Sequence, residues 1–281
     1  MTRAARRRAP AACTTIGRWV IMAGLILMAS PASAKILKTR RPAQPGQELL
    51  VTVGSGFDYQ TDGEQSEYGF PFLLEYGFTP RLKLSVEPSV VSIHGPAGRS
   101  VSGFGDLETT VNYEFLSQRR HRPGLAVVGG VKWPTATRAE IGTGRADYSI
   151  GTIVSKEFVP ADVDFNAVYT RVGDPPGVRV QNTLEASLAA EWHLNLAIDL
   201  VAELLTSSGA GGVHGRAGPI SGAGGGGGIG VAEQGGRETE GTLGLAEHLN
   251  EFLKLEQGAV LKSGGSWQAV IAWEWDFGGG R

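Results

Sequence analysis

Apolar and polar residues alternate with a period of two along most of the chain. Leu49, Val51, Val53, Phe57 and Tyr59 alternate with Glu48, Thr52, Gly54, Gly56 and Asp58. Phe70, Phe72, Leu74, Tyr76 and Phe78 alternate with Gly69, Glu75 and Gly77, and Leu82, Leu84, Val86 and Val90 with Lys83, Ser85, Glu87 and Ser89. Leu107, Val111, Tyr113 and Phe115 repeat the pattern, as do Val163, Phe165, Ala167 and Tyr169. It is sharpest at Trp267, Ala269, Ile271, Trp273, Trp275 and Phe277, opposite Gln268, Glu274 and Asp276. A strand puts such residues on one side, whereas a helix scatters them around its axis. The same argument reads 183–205 as two strands despite its helix-forming Leu, Ala and Glu, with a turn at Trp192-His193, and reads 243–262 similarly.

About twelve strands result: 48–59, 67–78, 81–93, 104–116, 123–133, 146–158, 162–171, 180–192, 194–205, 240–249, 253–262 and 266–277. Each has about ten residues or more, the length with which a tilted strand crosses a bilayer; strands of soluble proteins are mostly nearer five or six. The connections alternate long and short. Thr61-Asp62-Gly63-Glu64, 94–103, 134–145, Gly173–Gly177 and 206–239 are the longer ones; Thr79-Pro80, Val159-Pro160-Ala161 and the region of Asn250 are tight. Ser263-Gly264-Gly265 breaks the series. Long outer loops and short periplasmic turns mark an up-and-down outer-membrane barrel. Large aromatics cluster near strand ends (Tyr59, Tyr76, Phe78, Trp133, Trp192, Trp275), where interfacial girdles place them. The expected fold is therefore all-β: a closed antiparallel up-and-down transmembrane barrel over 48–277. A soluble sandwich would share the alternation but not the strand lengths or the girdles.

The N-terminus agrees with export. Arg3, Arg6, Arg7, Arg8 and Arg18 precede or flank an apolar run, Ile16 to Met28, that is too short to span a membrane; Ala32-Ser33-Ala34 has the form of a cleavage site. Residues 1–34 read as a cleaved signal peptide and 35–47 as a periplasmic segment. Removing the signal takes away five arginines and no acid, so the net charge moves from −2 to about −7. An acidic chain is a poor partner for nucleic acid. The single cysteine, Cys13, lies inside the signal, which excludes disulfides and thiolate chemistry from the exported part.

One stretch is more specific. Gly103-Phe104-Gly105-Asp106-Leu107 opens a strand, Val131-Lys132-Trp133-Pro134-Thr135 closes another, and Gly142-Thr143-Gly144 leads to Asp147-Tyr148. Over roughly 103–158 this resembles the outer-membrane transporter family named for the meta-cleavage pathway of phenol degradation, with Ala136 where the family usually has Gly. The resemblance implies a single-chain barrel without catalytic machinery that passes small molecules, hydrophobic or aromatic ones included, across the outer membrane of a Gram-negative bacterium. Lipid would be one partner, a small solute another, and the barrel-assembly machinery a third through the C-terminal strand of Trp273, Trp275 and Phe277. Here Gly278-Gly279-Gly280-Arg281 follows the terminal aromatic that such barrels usually end on.

Candidate chemistry is sparse. His94, His121, His193, His214 and His248 lack metal-ligand spacing, and the Gly-rich runs lack the Gly-Lys-Ser/Thr of a phosphate loop, so neither a metal nor a cofactor is expected. No Gly-x-Ser-x-Gly elbow is present; Ser92 and His94 are the nearest approach to a hydrolase pair. The remaining candidates are charges expected to face the lumen: Glu75, Lys83, Glu87, Asp106, Glu108, Glu114 and Lys132, followed by Asp147, Asp164, Glu185, Asp199, Glu203, Lys254, Glu256 and Glu274. They can form an internal ion-pair network, or an acidic constriction that favours neutral or cationic solutes. Three functions stay open: a channel, a closed structural or adhesive barrel, and a barrel hydrolase.

Overall fold

The computed structural model describes residues 50–175, 180–208 and 237–277. Its strands are β1 (Val51–Thr61), β2 (Ser66–Thr79), β3 (Leu82–Glu87), β4 (Ser89–His94), β5 (Ser100–Phe104), β6 (Leu107–Leu116) and β7 (Gly124–Trp133). They continue as β8 (Asp147–Phe158), β9 (Ala161–Arg171), β10 (Thr183–His193), β11 (Ile198–Ser208), β12 (Glu238–His248), β13 (Leu253–Lys262) and β14 (Trp267–Phe277). Sequential neighbours pair antiparallel, and β1 pairs with both β2 and β14, which closes the ring. β3 with β4, and β5 with β6, are the two halves of single staves, so the barrel has twelve, as the alternation predicts.

Four boundaries differ from the sequence-based expectation. The strand expected over 81–93 breaks at Pro88, which cannot donate to a ladder; its carbonyl instead accepts from the Phe72 N–H (2.8 Å). The strand expected from 104 begins at Ser100 and breaks at Gly105-Asp106. The turn expected at Trp192-His193 lies at 194–197, where the Asn195 side chain accepts from the Ala197 N–H (2.8 Å) and organises it. β11 runs to Ser208 and β12 starts at Glu238, so the long connection between them is 209–237 rather than 206–239. The signal peptide 1–34, the 35–47 segment and the glycine-rich run 209–236 lie outside the described residues.

The two faces of the wall have opposite chemistry. Outward residues are apolar and open: Ile150 is 65% and Leu243 61% exposed, and Leu188, Leu204 and Leu261 behave alike. A soluble monomer does not present so continuous an apolar surface, but a hydrocarbon-facing barrel requires one. Aromatics gather at both margins of this surface. Tyr59 packs on Trp267 (5.4 Å) at one end; Tyr76 on Phe78 (4.7 Å) and Trp275 on Phe277 (5.6 Å) lie at the other. Inward residues are polar or small and largely hidden from solvent; Asp147 is 2% and Glu203 5% exposed. Small apolar clusters interrupt them, such as Ala126, Val128, Ile153 and Val168. The lumen is thus lined by packed side chains rather than by a wide water column.

Candidate functional site

The candidate site is the lumen, and strand parity builds it. Along β10, Thr183, Glu185, Ser187, Ala189 and Glu191 alternate inward between outward Leu184, Leu188 and Trp192. The lumen candidates on strands share the face that carries the buried polar residues, and Asp106 lies in the break between β5 and β6. Glu75, Glu114, Asp164, Glu185, Asp199, Glu203 and Glu256 are buried there, as are Asp106 and Asp147 near the long-loop end. Glu87, Glu108 and Glu274 are half-buried on the same face; Glu87 stands directly across from Glu108, and Glu108 from Lys132.

The acids far outnumber the cations that face them. Four of the described lysines point inward, and each is committed. Lys83 contacts Glu75 (2.9 Å), Lys132 contacts Asp147 (2.7 Å) and Asp106 (3.5 Å), Lys254 contacts Glu256 (2.9 Å) and Glu191 (3.4 Å), and Lys262 contacts Glu240 (3.2 Å). Hydroxyls take part as well: Ser85 donates to Glu75 (2.9 Å), Ser155 to Asp164 and Thr52 to Asp276. The net charge on the wall is negative, so its field attracts cations and tolerates neutral solutes.

At the long-loop end, the motif residues of 103–147 meet in space. The segment after β7 folds back over the inner face of β4 and β5, where Ile141 packs on Val91 and Ile93. Thr135 Oγ1 accepts from the Leu107 N–H (2.8 Å), Ala136 N–H donates to Asp106 (3.0 Å), and Thr137 N–H donates to the Phe104 carbonyl (3.0 Å). Asp147 accepts from the Gly173 N–H (2.9 Å) while pairing with Lys132. Two glycines let this happen. A Cβ at Gly103 would stand 2.4 Å from Thr137 Oγ1, and one at Gly142 would stand 2.4 Å from the Ala136 Cβ. The Gly-x-Gly-Asp, Pro-Thr and Gly-x-Gly segments are therefore parts of one loop anchor, built around Lys132.

A Gly103→Val change should expel the segment 134–142 from the lumen. Limited trypsin digestion of the folded barrel is then expected to cut after Arg138 and Arg145 faster than in the parent. Unchanged cleavage would show that the loop is held elsewhere.

Sequence spacing missed one group. His193 and His248, taken as turn and strand-end residues, project inward and meet at Asp199, with Nδ1 of His193 2.9 Å from Oδ1 and Nε2 of His248 2.7 Å from Oδ2. Their sequence separation hides this. The signal was parity: His193 follows Glu191 by two, and His248 shares its face with Glu240 and Thr242. The proposed hydrolase pair behaves otherwise. The Ser92 hydroxyl hydrogen-bonds Ser102 Oγ (2.8 Å), and the His94 ring packs edge-on to Tyr68 (5.3 Å).

Comparison with known proteins agrees with the fold and the motif. No curated protein sequence matches the chain. Among solved structures, the COG4313 outer membrane channel from Pseudomonas putida F1 is 15% identical with a TM-score of 0.59, over 85% of this chain and 98% of that one. The KdgM porin in complex with disordered oligogalacturonate is 7% identical with a TM-score of 0.53, over 81% of this chain and 99% of that one. At such identities the likeness is one of fold. The sequence model for the family described as "Putative MetA-pathway of phenol degradation" matches residues 38–234, well over half of the chain and including the whole loop anchor, and the protein belongs to that family.

Proposed function

We propose that the protein is a passive channel of the Gram-negative outer membrane for small molecules, with a preference for neutral and cationic solutes. The observation that carries this reading is the acid-rich lumen whose inward lysines are all engaged. Packed side chains make the passage narrow, and the inward-folded segment 134–142 forms its constriction at the long-loop end. The fold shared with a channel and a porin supports passage of solutes, and the family's link to phenol degradation supports small aromatic ones as cargo. Residues 1–34 direct export, and the aromatic face of β14, with Trp273, Trp275 and Phe277, is the handle for barrel assembly.

Conductance in planar bilayers tests the reading. Under a KCl gradient, the reconstituted barrel should pass a steady current whose reversal potential has the sign set by K+. Electrical silence supports the rival, a closed structural barrel, and anion selectivity contradicts the role given to the acids. The separation of Ser92 from His94 in their contacts argues against hydrolysis as the function.

A further inference from the structure

The short-turn end of the lumen brings together donors from four adjacent strands. His193 on β10 stands opposite Asp199 on β11 in register, and Asp199 stands opposite Ala246 on β12, two residues before His248. Glu191 precedes His193 by two and shares its face. The Glu191 and Asp199 carboxyl groups are both buried and lie close together. Donor atoms of Glu191, Asp199 and His248 all lie within 4.8 Å of one another. Asp162 on β9 completes the surroundings, 3.4 Å from His193 Nε2.

We propose that Glu191, Asp199 and His248 form a binding site for a divalent first-row transition ion of the zinc class, with His193 beside them on the other oxygen of Asp199. The donor chemistry points that way. Imidazole nitrogens with carboxylate oxygens suit Zn2+ and its neighbours, whereas an all-oxygen set would suit Ca2+ or Mg2+. Two buried carboxyl groups stand side by side there, a juxtaposition that a bound divalent ion offsets. The lysine that reaches the group, Lys254, is divided between Glu191 and Glu256, which leaves Asp199 to the two histidines.

The geometry needs little change. Two ligands about 2.0–2.1 Å from a tetrahedral ion lie roughly 3.3 Å apart. The present separation of 2.7 Å between His248 Nε2 and Asp199 Oδ2 has only to open by about half an ångström, with the ion replacing the hydrogen-bonded proton. The imidazoles are 42% and 41% exposed, so an ion can reach them and they can turn, while the carboxylates are fixed by burial.

The site does not depend on whether the lumen conducts, so its test is separate. Tag-free, refolded full-length barrel in detergent is titrated with ZnCl2 by calorimetry, with MgCl2 as the comparison ion. One equivalent of Zn2+ should bind, with no comparable Mg2+ binding. Single changes His248→Gln and Asp199→Asn should weaken Zn2+ binding at least tenfold. The double change His94→Gln with His121→Gln, at histidines outside the group, should leave it intact. Heat-modifiable migration on gels confirms folding of each variant, and X-ray absorption on the zinc-loaded parent should show a nitrogen and oxygen shell with imidazole scattering. If the parent binds Zn2+ no more tightly than a folded His193→Gln/His248→Gln variant, or the control double change removes binding equally, the proposal is wrong.

Discussion

A Lys132→Met barrel should unfold in urea with about 3–5 kcal/mol less stability than its parent, the usual cost of removing one partner from a buried ion pair. Lys132 stands between Asp147 (2.7 Å) and Asp106 (3.5 Å), with Glu108 across from it in register. Methionine keeps the length of the side chain but leaves these acids close together without their cation. The loss is local in origin, because Asp106 also accepts from Ala136 and Asp147 from Gly173, so the loop anchor loosens with the pair. Adding Asp147→Asn to Lys132→Met should recover part of the loss, since the second change removes one of the stranded charges. Equilibrium unfolding of both variants in lipid vesicles measures the two effects. A single-variant loss under about 1 kcal/mol would mean that solvent already screens the group.

Leu188→Arg is the second large effect, about 2–4 kcal/mol of destabilisation for a cation placed on the lipid face near the bilayer midplane. Leu188 lies in the middle of β10, half exposed, paired with Leu204 on β11 and Phe165 on β9. On a water-facing surface the same change would fall within about 0.5 kcal/mol of neutral. Unfolding in vesicles therefore separates a membrane wall from a soluble one at a single residue. A neutral result there would overturn the assignment of this face to lipid.

The staves and their faces were legible in the sequence because parity is local. Leu184, Leu188 and Trp192 face out and Glu185, Ser187 and Glu191 face in, whatever the neighbouring strands do. What parity does not carry is a break within a stave or the place where strands meet. Pro88 offered a warning that alternation outvoted, and Asp106 interrupts its strand only because Ala136, thirty residues on, supplies the N–H that it accepts. The turn after β10 was misplaced because Leu194 and Leu196 continue the apolar rhythm, while Asn195 closes the chain on itself. The grouping of His193 and His248 around Asp199 depended on cross-strand register, and that shift at 194–197 was enough to hide it.

β5 pairs with β4 on one side only, and its other short edge is taken by no strand. An unpaired edge is a template onto which a second extended chain can add. Here Thr137 occupies it: its N–H donates to the Phe104 carbonyl, and its hydroxyl accepts from the Phe104 N–H (3.0 Å each). The segment that packs over β4 and β5 thus also covers the edge at this point. At Phe104 the edge therefore offers no free backbone pair onto which an added strand could zip.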